Sequence, residues 1–245
     1  MRLAGVKNED NPINSVLEKM SHSEVKFGDI VQTKQGIVSG ADKLTDSHLA
    51  KYPSISGDKG TGIFTISKRE LKDLNLTDFE MEYVFPFYKN SQISRYHTKT
   101  DNQIYIIYLT KYDDIEKLPN LNRHLIKYRE ILEKKRECRE GKIPWYSLHW
   151  PRDKKLLQSE KIVNSRRAKF NTFAIERGEC FEQSDIAFSV IKETFRNKTS
   201  IEYLLALLNS KLYYIWLYNK GKRKGDMLEL YGTPLSEIPI WKKSK

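Results

Sequence analysis

The sequence predicts an α+β protein with a mixed or antiparallel sheet, a long central helix at about 120–140 and a C-terminal helix at about 200–220. Apolar residues recur at helical spacing in these two regions, and short runs typical of strands lie outside them. Neither a regular βαβ rhythm nor an internal repeat is present. With 39% hydrophobic and 11% aromatic residues, the 245-residue chain contains enough apolar surface for a substantial core.

The domain boundary is predicted near the N-terminus. Residues 1–24 are polar and indicate a linker or N-terminal extension, with a possible short helix over 12–20, and residues 25–245 indicate one domain. Strand and turn patterns begin at 25–39, and residues 103–110 form an apolar run typical of a buried strand.

Two short helices are predicted from their first residues. Ser67 and Thr77 are suitable N-caps, and each is followed three positions later by a glutamate, Glu70 or Glu80, as in a capping box. The central helix is predicted from Leu121, Leu125, Tyr128 and Leu132 to end near Gly141, and the C-terminal helix begins after Ser200.

Between the two helical regions, the segments 161–166, 171–175 and 186–191 alternate as strands do. The segments 227–231 and 238–241 are short, and indicate strand or loop.

The net charge of +11 is concentrated in two segments. Residues 121–170 contain 15 basic and 6 acidic residues, and residues 211–245 contain 8 and 3, whereas the rest of the chain is close to neutral. A lysine-rich surface that only improves solubility would be spread more evenly. Clustered cations favour a polyanion partner, and aromatic residues within 143–152 favour nucleic acid over a membrane surface.

Several other classes of protein lack support in the sequence. Two cysteines without metal-ligand spacing indicate neither a disulfide scaffold nor a zinc site, and no segment has the pattern of a signal peptide or membrane span. The eight prolines are never adjacent, which excludes the N/D-P-P-Y/F loop of amino-methyltransferases. Phosphate-loop, zinc-protease and serine-hydrolase motifs are missing as well.

A metal-dependent nuclease is the main alternative. Residues 133–135 and 140–142 each satisfy the E-x-K half of a nuclease motif, but they lie on or beside the predicted central helix and no Pro-Asp turn accompanies them. Glu133 is better explained as an i,i+4 ion-pair partner of Arg129. A third alternative is an RNA-binding or assembly subunit.

Six segments, in order along the chain, resemble a known family. They cover residues 35–42, 85–96, 145–152, 161–167, 207–212 and 222–226. Together they resemble the TaqI-like C-terminal specificity domain, the target recognition domain that follows the catalytic domain in adenine-N6 DNA methyltransferases and Type IIG restriction enzymes. The resemblance runs from about residue 25 to residue 241, and so covers nearly the whole chain.

The resemblance implies a recognition function without a catalytic site of its own. Its expected partners are double-stranded DNA and a methyltransferase catalytic domain or subunit, in the bacterial cytoplasm and not at a membrane. S-adenosylmethionine would bind in the catalytic part, with Mg²⁺ if a nuclease is fused, and this chain would hold no metal or cofactor.

The candidate DNA-binding residues are sorted by chemistry. Flexible cations suit phosphates, guanidinium forks suit guanine, amides suit adenine, glycines allow close backbone approach, and aromatic or imidazole rings pack or stack. The candidates are Lys34, Gln35, Gly36, Ser39, Gly40, Arg95, Tyr146, His149, Arg152, Asn164, Arg166, Arg167, Lys222, Arg223 and Lys224.

Structural roles compete with these assignments. His149 has the alternative of a hydrogen-bonded loop histidine packed on Trp150, and Trp145 and Trp150 have that of core anchors. Arg166 or Arg167 has the alternative of an ion pair with Glu160, and Asn209 is expected to be a polar residue in helix packing.

Overall fold

The computed structural model describes residues 12–99 and 103–241. Its strands are β1 Val31–Gln35, β2 Thr65–Ser67, β3 Val84–Tyr88, β4 Tyr96–His97, β5 Ile104–Ile107, β6 Lys161–Ser165, β7 Arg167–Ala168, β8 Phe173–Glu176, β9 Phe181–Glu182, β10 Ile186–Ile191, β11 Arg223–Lys224 and β12 Met227–Glu229. Its α-helices are α1 Pro12–Ser21, α2 Phe27–Ile30, α3 Asp46–Lys51, α4 Lys68–Asp73, α5 Asp78–Met81, α6 Pro119–Leu125, α7 Arg129–Leu132, α8 Arg136–Arg139, α9 Lys154–Leu157, α10 Ile201–Asn209, α11 Lys211–Asn219 and α12 Thr233–Ser236.

The strands form three sheets. The five-stranded sheet has the order β1-β10-β6-β8-β4, the four-stranded sheet β2-β5-β3-β9 and the three-stranded sheet β11-β12-β7. Most pairs are antiparallel, whereas β4 pairs with β8 and β3 with β9 in parallel. The predicted α+β class with mixed sheets is therefore confirmed.

The five-stranded sheet separates two hydrophobic cores. Successive residues of a strand point to opposite faces, so Ile162 and Phe173 join one core while Val163 and Ala174 join the other. The first of these cores is covered by α10 and α11, and the second by the four-stranded sheet with α6 and α7. The central strands β10, β6 and β8 are consequently buried on both faces.

The two predicted capping boxes are present. Ser67 accepts a hydrogen bond from the Glu70 amide and Thr77 accepts one from the Glu80 amide, while each glutamate side chain accepts from the amide of its cap residue. These reciprocal bonds satisfy amides at the helix N-termini that have no intrahelical acceptor.

The continuous central helix predicted at 120–140 is wrong. The region contains α6, a 3-10 turn at Ile126–Tyr128, α7 and then α8. Between α7 and α8 the backbone of Lys135 is extended, with φ −55° and ψ 134°, and its side chain turns into the protein. Its ammonium donates hydrogen bonds to the carbonyl oxygens of Trp145 and Ser147, a placement that a straight amphipathic helix would not give.

The C-terminal helical region is two helices instead of one. Ser210 has an extended backbone with ψ 157°, which ends α10, and its hydroxyl accepts from the Tyr213 amide to cap α11. Asn209 is buried, where its side chain accepts from the Phe173 amide at 3.0 Å and donates to the Phe173 carbonyl at 2.9 Å. Its predicted packing role is confirmed.

The N-terminal helix packs on the domain. Leu17 and Met20 of α1 are buried, and Met20 belongs to the core beneath α10 and α11. The possible helix at 12–20 is thus confirmed, whereas residues 1–11 of the proposed extension and residues 242–245 of the proposed domain lie outside the described residues.

A buried cluster of ionisable side chains links the two larger sheets. Lys161 has no exposed surface, and its Nζ lies 2.8 Å from Glu176 Oε2 and 2.8 Å from Glu182 Oε1. Lys161 and Glu176 are directly opposite each other on β6 and β8, and Glu182 belongs to β9. Three backbone amides, those of residues 178–180, donate to the Glu176 carboxylate. Burial raises the pKa of Glu182 to about 7.

We predict that Glu182 makes stability depend on pH. In the unfolded chain its carboxyl ionises near the ordinary pKa of 4.5, whereas in the fold it stays protonated up to about pH 7. Rising pH between these values therefore favours unfolding by up to ~1.4 kcal/mol per pH unit. Urea unfolding should show wild-type stability falling relative to Glu182→Gln across this range. A constant difference between the two proteins would contradict the assignment.

Candidate nucleic-acid interface

Candidate residues meet at one end of the five-stranded sheet. β1 and β6 end there at Gln35 and Ser165, and β10, β8 and β4 begin there, because Gln35 pairs with Ala187 and Asn164 with Phe173. Two polar side chains adjoin this end directly, Lys34 on β1 and Arg166 after β6. The loop that ends at Arg152 reaches the same place.

We call the resulting surface the basic edge. It consists of Lys34, Gln35, Arg152 and Arg166, which line one cleft, Arg167 and Lys222, which pair with Glu229, and Arg223 and Lys224, which follow Lys222 in the β11–β12 hairpin.

Arg152 is fixed against the end of β1. Its Nε donates to the Gly36 carbonyl at 3.1 Å and its Nη2 to Gln35 Oε1 at 3.3 Å, while Gln35 Nε2 donates to the Ser184 carbonyl at 2.9 Å. The guanidinium carbon also lies 5.5 Å from the centre of the Trp150 ring. Burial lowers the pKa of Arg152, and the charge of Arg166 adds to this effect.

Arg166 lies on the other side of a shallow cleft. Its guanidinium carbon is 4.2 Å from the centre of the Tyr231 ring, a cation–π contact. The cleft has a volume of about 460 Å³, and its lining includes Lys34, Gln35 and Arg152 on one side and Arg166 and Tyr231 on the other. Two guanidinium groups with ordered surroundings therefore face one open site.

The basic hairpin is attached directly to this site. β12 joins β11 to β7, with Glu229 opposite Arg167, and Gly225 supplies the left-handed turn residue with φ 59°. Lys222, Arg223 and Lys224 are exposed, and Arg223 lies 4.1 Å from the centre of the Tyr218 ring. The hairpin extends the basic edge.

Three candidates lie inside the protein, in contrast to the exposed positions expected of them. Asn164 has no exposed surface, because its Nδ2 donates to the carbonyl oxygens of Leu230 and Ser165. Ser39 is 6% exposed and donates to Asp42 Oδ1 at 2.6 Å. Gly36 is also buried, and a Cβ there would lie 2.3 Å from the Gln183 carbonyl oxygen. These residues serve the scaffold of the site, since all three are buried among protein atoms.

The remaining loop candidates lie in the segment that precedes Arg152, or against it. Gly40 is exposed with φ 87°, and Tyr146 is half-buried with its hydroxyl donating to the Asp113 carbonyl at 2.7 Å. His149 Nδ1 lies 2.9 Å from Glu137 Oε2 and its ring 4.8 Å from that of Trp150, so the expected packing of this loop histidine on Trp150 is confirmed. Burial lowers the pKa of His149.

Arg95 is at the same strand end but apart from the cleft. It is exposed, precedes β4, and donates from Nη2 to Asn171 Oδ1 at 3.3 Å. The lining of the cleft does not include it within the part of the chain that the structure describes.

Two expected ion pairs have different outcomes. The Arg129–Glu133 pair is confirmed, at 2.7 Å between Nε and Oε1. The prediction that Arg166 or Arg167 pairs with Glu160 is wrong, because Glu160 binds Arg177 and Arg167 lies 3.6 Å from Glu229. The physical reason is that β6 separates Glu160 from Arg166 along its whole length.

The two tryptophans also differ. Trp145 is partly buried and packs on the core, whereas Trp150 is 43% exposed and is not the core anchor expected as its alternative role.

Sequence reasoning missed Tyr231 and Glu229. Both lie in a segment interpreted only as short strand or loop. Glu229 and Tyr231 alternate along the chain with Leu228 and Leu230, which are buried. Because residues two positions apart in a strand point to the same face, this alternation was the available signal that Glu229 and Tyr231 lie together. Neither residue is basic, so a search for cations passes over them.

The described part of the chain contains neither a cluster of metal ligands nor a helix suited to cross a membrane. Over residues 12–99 and 103–241, no three or more His, Cys, Asp or Glu side chains are grouped to hold a metal ion. Within the same ranges, no helix combines the length and apolar character required to cross a membrane.

Comparison with known proteins gives a consistent family. A sequence model of the TaqI-like C-terminal specificity domain matches residues 85–240. Two Haemophilus influenzae proteins, Type II methyltransferase M.HincII and, from strain ATCC 51907 / DSM 11121 / KW20 / Rd, Type II methyltransferase M.HindII, are each 33% identical over 95 residues. These 95 residues are 39% of this chain and 18% of each relative.

A solved structure shares the fold. The Type IIL restriction-modification enzyme MmeI, determined in complex with DNA, superposes with a TM-score of 0.57 at 12% identity. The match covers 85% of this chain and 24% of that chain.

We predict that Gly36→Ala destabilises the fold more than Gly225→Ala. The Cβ of the first variant would collide with backbone atoms of residues 182 and 183, whereas the second meets nothing within 4 Å and has only the strain of φ 59°. Urea unfolding should show a loss above ~2 kcal/mol for Gly36→Ala and ~1 kcal/mol for Gly225→Ala. Equal losses would mean that Gly36 is not a packing residue.

Proposed function

The chain belongs to the TaqI-like C-terminal specificity domain family, and on that premise we propose that it recognises a DNA sequence for a restriction-modification methyltransferase that modifies adenine at N6. The observation that carries the proposal is the basic edge, in which exposed cations surround a cleft with two ordered guanidinium groups. Its exposed cations suit contact with phosphates, and its ordered arginines suit contact with base edges.

The flexible cations suit the phosphate backbone. Lys34, Lys222 and Lys224 are exposed lysines, and lysine at phosphate releases condensed counterions without reading sequence. Arg223 belongs to the same hairpin and adds to this positive field. We assign to these residues the placement of the protein along the duplex.

The ordered arginines suit base edges. Arg152 is fixed by hydrogen bonds to the end of β1 and Arg166 by its contact with the Tyr231 ring, so little side-chain entropy remains to be lost on binding. A guanidinium fork binds guanine O6 and N7 through two hydrogen bonds. We assign base reading to Arg152 and Arg166, with Gln35 and Arg167 beside them. We propose that Arg95, Gly40, Tyr146 and His149 contact the DNA outside the cleft.

The catalytic functions are proposed to lie elsewhere. The matched stretch spans 18% of the length of the curated relatives, which are named as methyltransferases. We propose that a methyltransferase domain or subunit binds S-adenosylmethionine and transfers the methyl group, and that Mg²⁺ is needed only where a nuclease is attached. The protein would act on double-stranded DNA in the bacterial cytoplasm.

We predict that neutralising the hairpin weakens binding to all duplexes alike. Replacing Lys222, Arg223 and Lys224 by alanine should reduce the magnitude of the slope of log affinity against log salt concentration by ~2–3, since each cation contributes ~0.9. Fluorescence anisotropy with several unrelated duplexes measures this. The matched control replaces three exposed cations of α4, Lys68, Arg69 and Lys72, and should leave the slope nearly unchanged. Selective loss of one duplex would assign the hairpin to base reading instead.

We predict that this chain transfers no methyl group by itself. Labelled methyl transfer from S-adenosylmethionine to DNA should appear only when the genomically adjacent or upstream catalytic region is supplied. The same preparation with Mg²⁺ and no catalytic region should leave duplex DNA uncut. Methylation or cleavage by the pure chain would contradict the division of labour.

A further inference from the structure

A carboxylate lies in the middle of the basic edge. Glu229 is 5% exposed and is surrounded by positive residues. Its Oε2 lies 3.0 Å from Lys222 Nζ and its Oε1 3.6 Å from Arg167 Nε. The hydroxyl of Tyr231 donates to Oε1 at 3.1 Å. One side chain thus binds two candidate DNA-binding cations and a neighbouring tyrosine.

A negative charge at this place opposes attraction to phosphate. A carboxylate in a phosphate-binding surface cancels part of the field that the cations produce. The side chain is also covered by its partners, so it is not directed at a base. Its hydrogen bond with Lys222 lowers the pKa of Glu229, in keeping with a carboxylate that stays charged at neutral pH. If the carboxylate holds neighbouring residues in place, its position among cations and its coverage by its partners are both explained.

The contacts of Glu229 extend to the base-reading side of the cleft. Tyr231 donates its hydroxyl hydrogen to Glu229 and accepts a hydrogen bond from Arg167 Nη2 at 3.5 Å. The ring of the same tyrosine carries the Arg166 guanidinium at 4.2 Å. Because the hydroxyl fixes where the ring lies, Glu229 influences the direction of Arg166 without touching it.

The backbone reinforces this arrangement. Glu229 pairs with Arg167 across β12 and β7, its amide donates to the Lys222 carbonyl at 2.8 Å, and the Leu230 amide donates to the Arg166 carbonyl at 2.9 Å. The strand therefore places the carboxylate between the hairpin and the end of β6.

We propose that Glu229 is a positioning residue for sequence discrimination. It holds Arg167 directly, and Arg166 through Tyr231, in the directions that a matching sequence requires, and it limits the contacts of Lys222 and Arg167 with phosphates of any sequence. This inference rests on the proposed DNA-recognition function.

The test compares three single variants in the full 245-residue chain. Glu229→Gln removes the charge and keeps the shape, and Tyr231→Phe removes the hydroxyl link and keeps the ring. Glu160→Gln is the matched control, because it removes an equal charge from a paired glutamate that precedes β6 at the other end of the strand. Each protein is incubated with a pool of duplexes of randomised sequence, and the bound fraction is sequenced. Anisotropy with one fixed duplex, unrelated to the enriched sequence, gives the salt slope.

The expected results separate positioning from charge. Glu229→Gln should reduce the enrichment of the preferred sequence about tenfold, the scale of one lost bidentate base contact. It should bind the unrelated duplex about 2–5 times more tightly with a steeper salt slope, because two cations are released. Tyr231→Phe should reduce enrichment without a change in slope, and Glu160→Gln should change neither.

Each of the following outcomes overturns the inference, and the first also overturns the proposed function. If the wild-type chain binds no duplex or enriches no sequence, the proposed function fails and the inference with it. If the wild type enriches a sequence that Glu229→Gln enriches equally, the function stands and the inference fails. Equal effects of Glu229→Gln and Glu160→Gln would show a general charge effect and overturn positioning. Should Glu229→Gln fail to fold, unchanged enrichment with Tyr231→Phe overturns the inference.

Discussion

The register of the five-stranded sheet is the constraint on which the candidate site depends. It places the ends of β1 and β6 and the beginnings of β10, β8 and β4 on one side, and so brings together residues that are more than 100 positions apart. A slip by one residue would exchange the two faces of a strand, and in β10, β6 and β8 each face carries side chains packed into a different hydrophobic core. Lys161 and Glu176, paired across β6 and β8, add a buried ionic contact that only one register satisfies.

The candidate surface combines positive charge held by protein contacts with positive charge exposed at the surface. Arg152 and Arg166 are held by protein atoms before any ligand arrives, one by the end of β1 and the other by the Tyr231 ring. Lys34 and the hairpin residues are exposed on their periphery. Prior ordering reduces the entropic cost of a directional base contact, whereas a phosphate accepts a lysine from many directions. The arrangement suits the DNA recognition proposed for this chain.

Much of the fold could be predicted from local sequence, since its signals are short in range. The strand at 103–110 and the caps at Ser67 and Thr77 depend on residues within a few positions of one another. The breaks in the two helical regions could not be predicted in this way, because they depend on contacts outside each helix. At the first break, Lys135 turns inward to the carbonyl of Trp145. At the second, Asn171 binds the end of α10. Asn164 likewise has the chemistry of a base reader, and only strand pairing reveals that Leu230 occupies its amide.

The central claim, that duplex DNA lies on the basic edge, is tested most directly by hydroxyl-radical footprinting of aromatic side chains. Trp150 and Tyr218, 43% and 41% exposed, contact arginines of the basic edge, whereas Phe79 and Tyr112, 49% and 85% exposed, lie on α5 and after β5. Addition of duplex DNA should lower the oxidation of Trp150 and Tyr218 and leave Phe79 and Tyr112 unchanged. Protection of Phe79 and Tyr112, with Trp150 and Tyr218 still oxidised, would contradict the account.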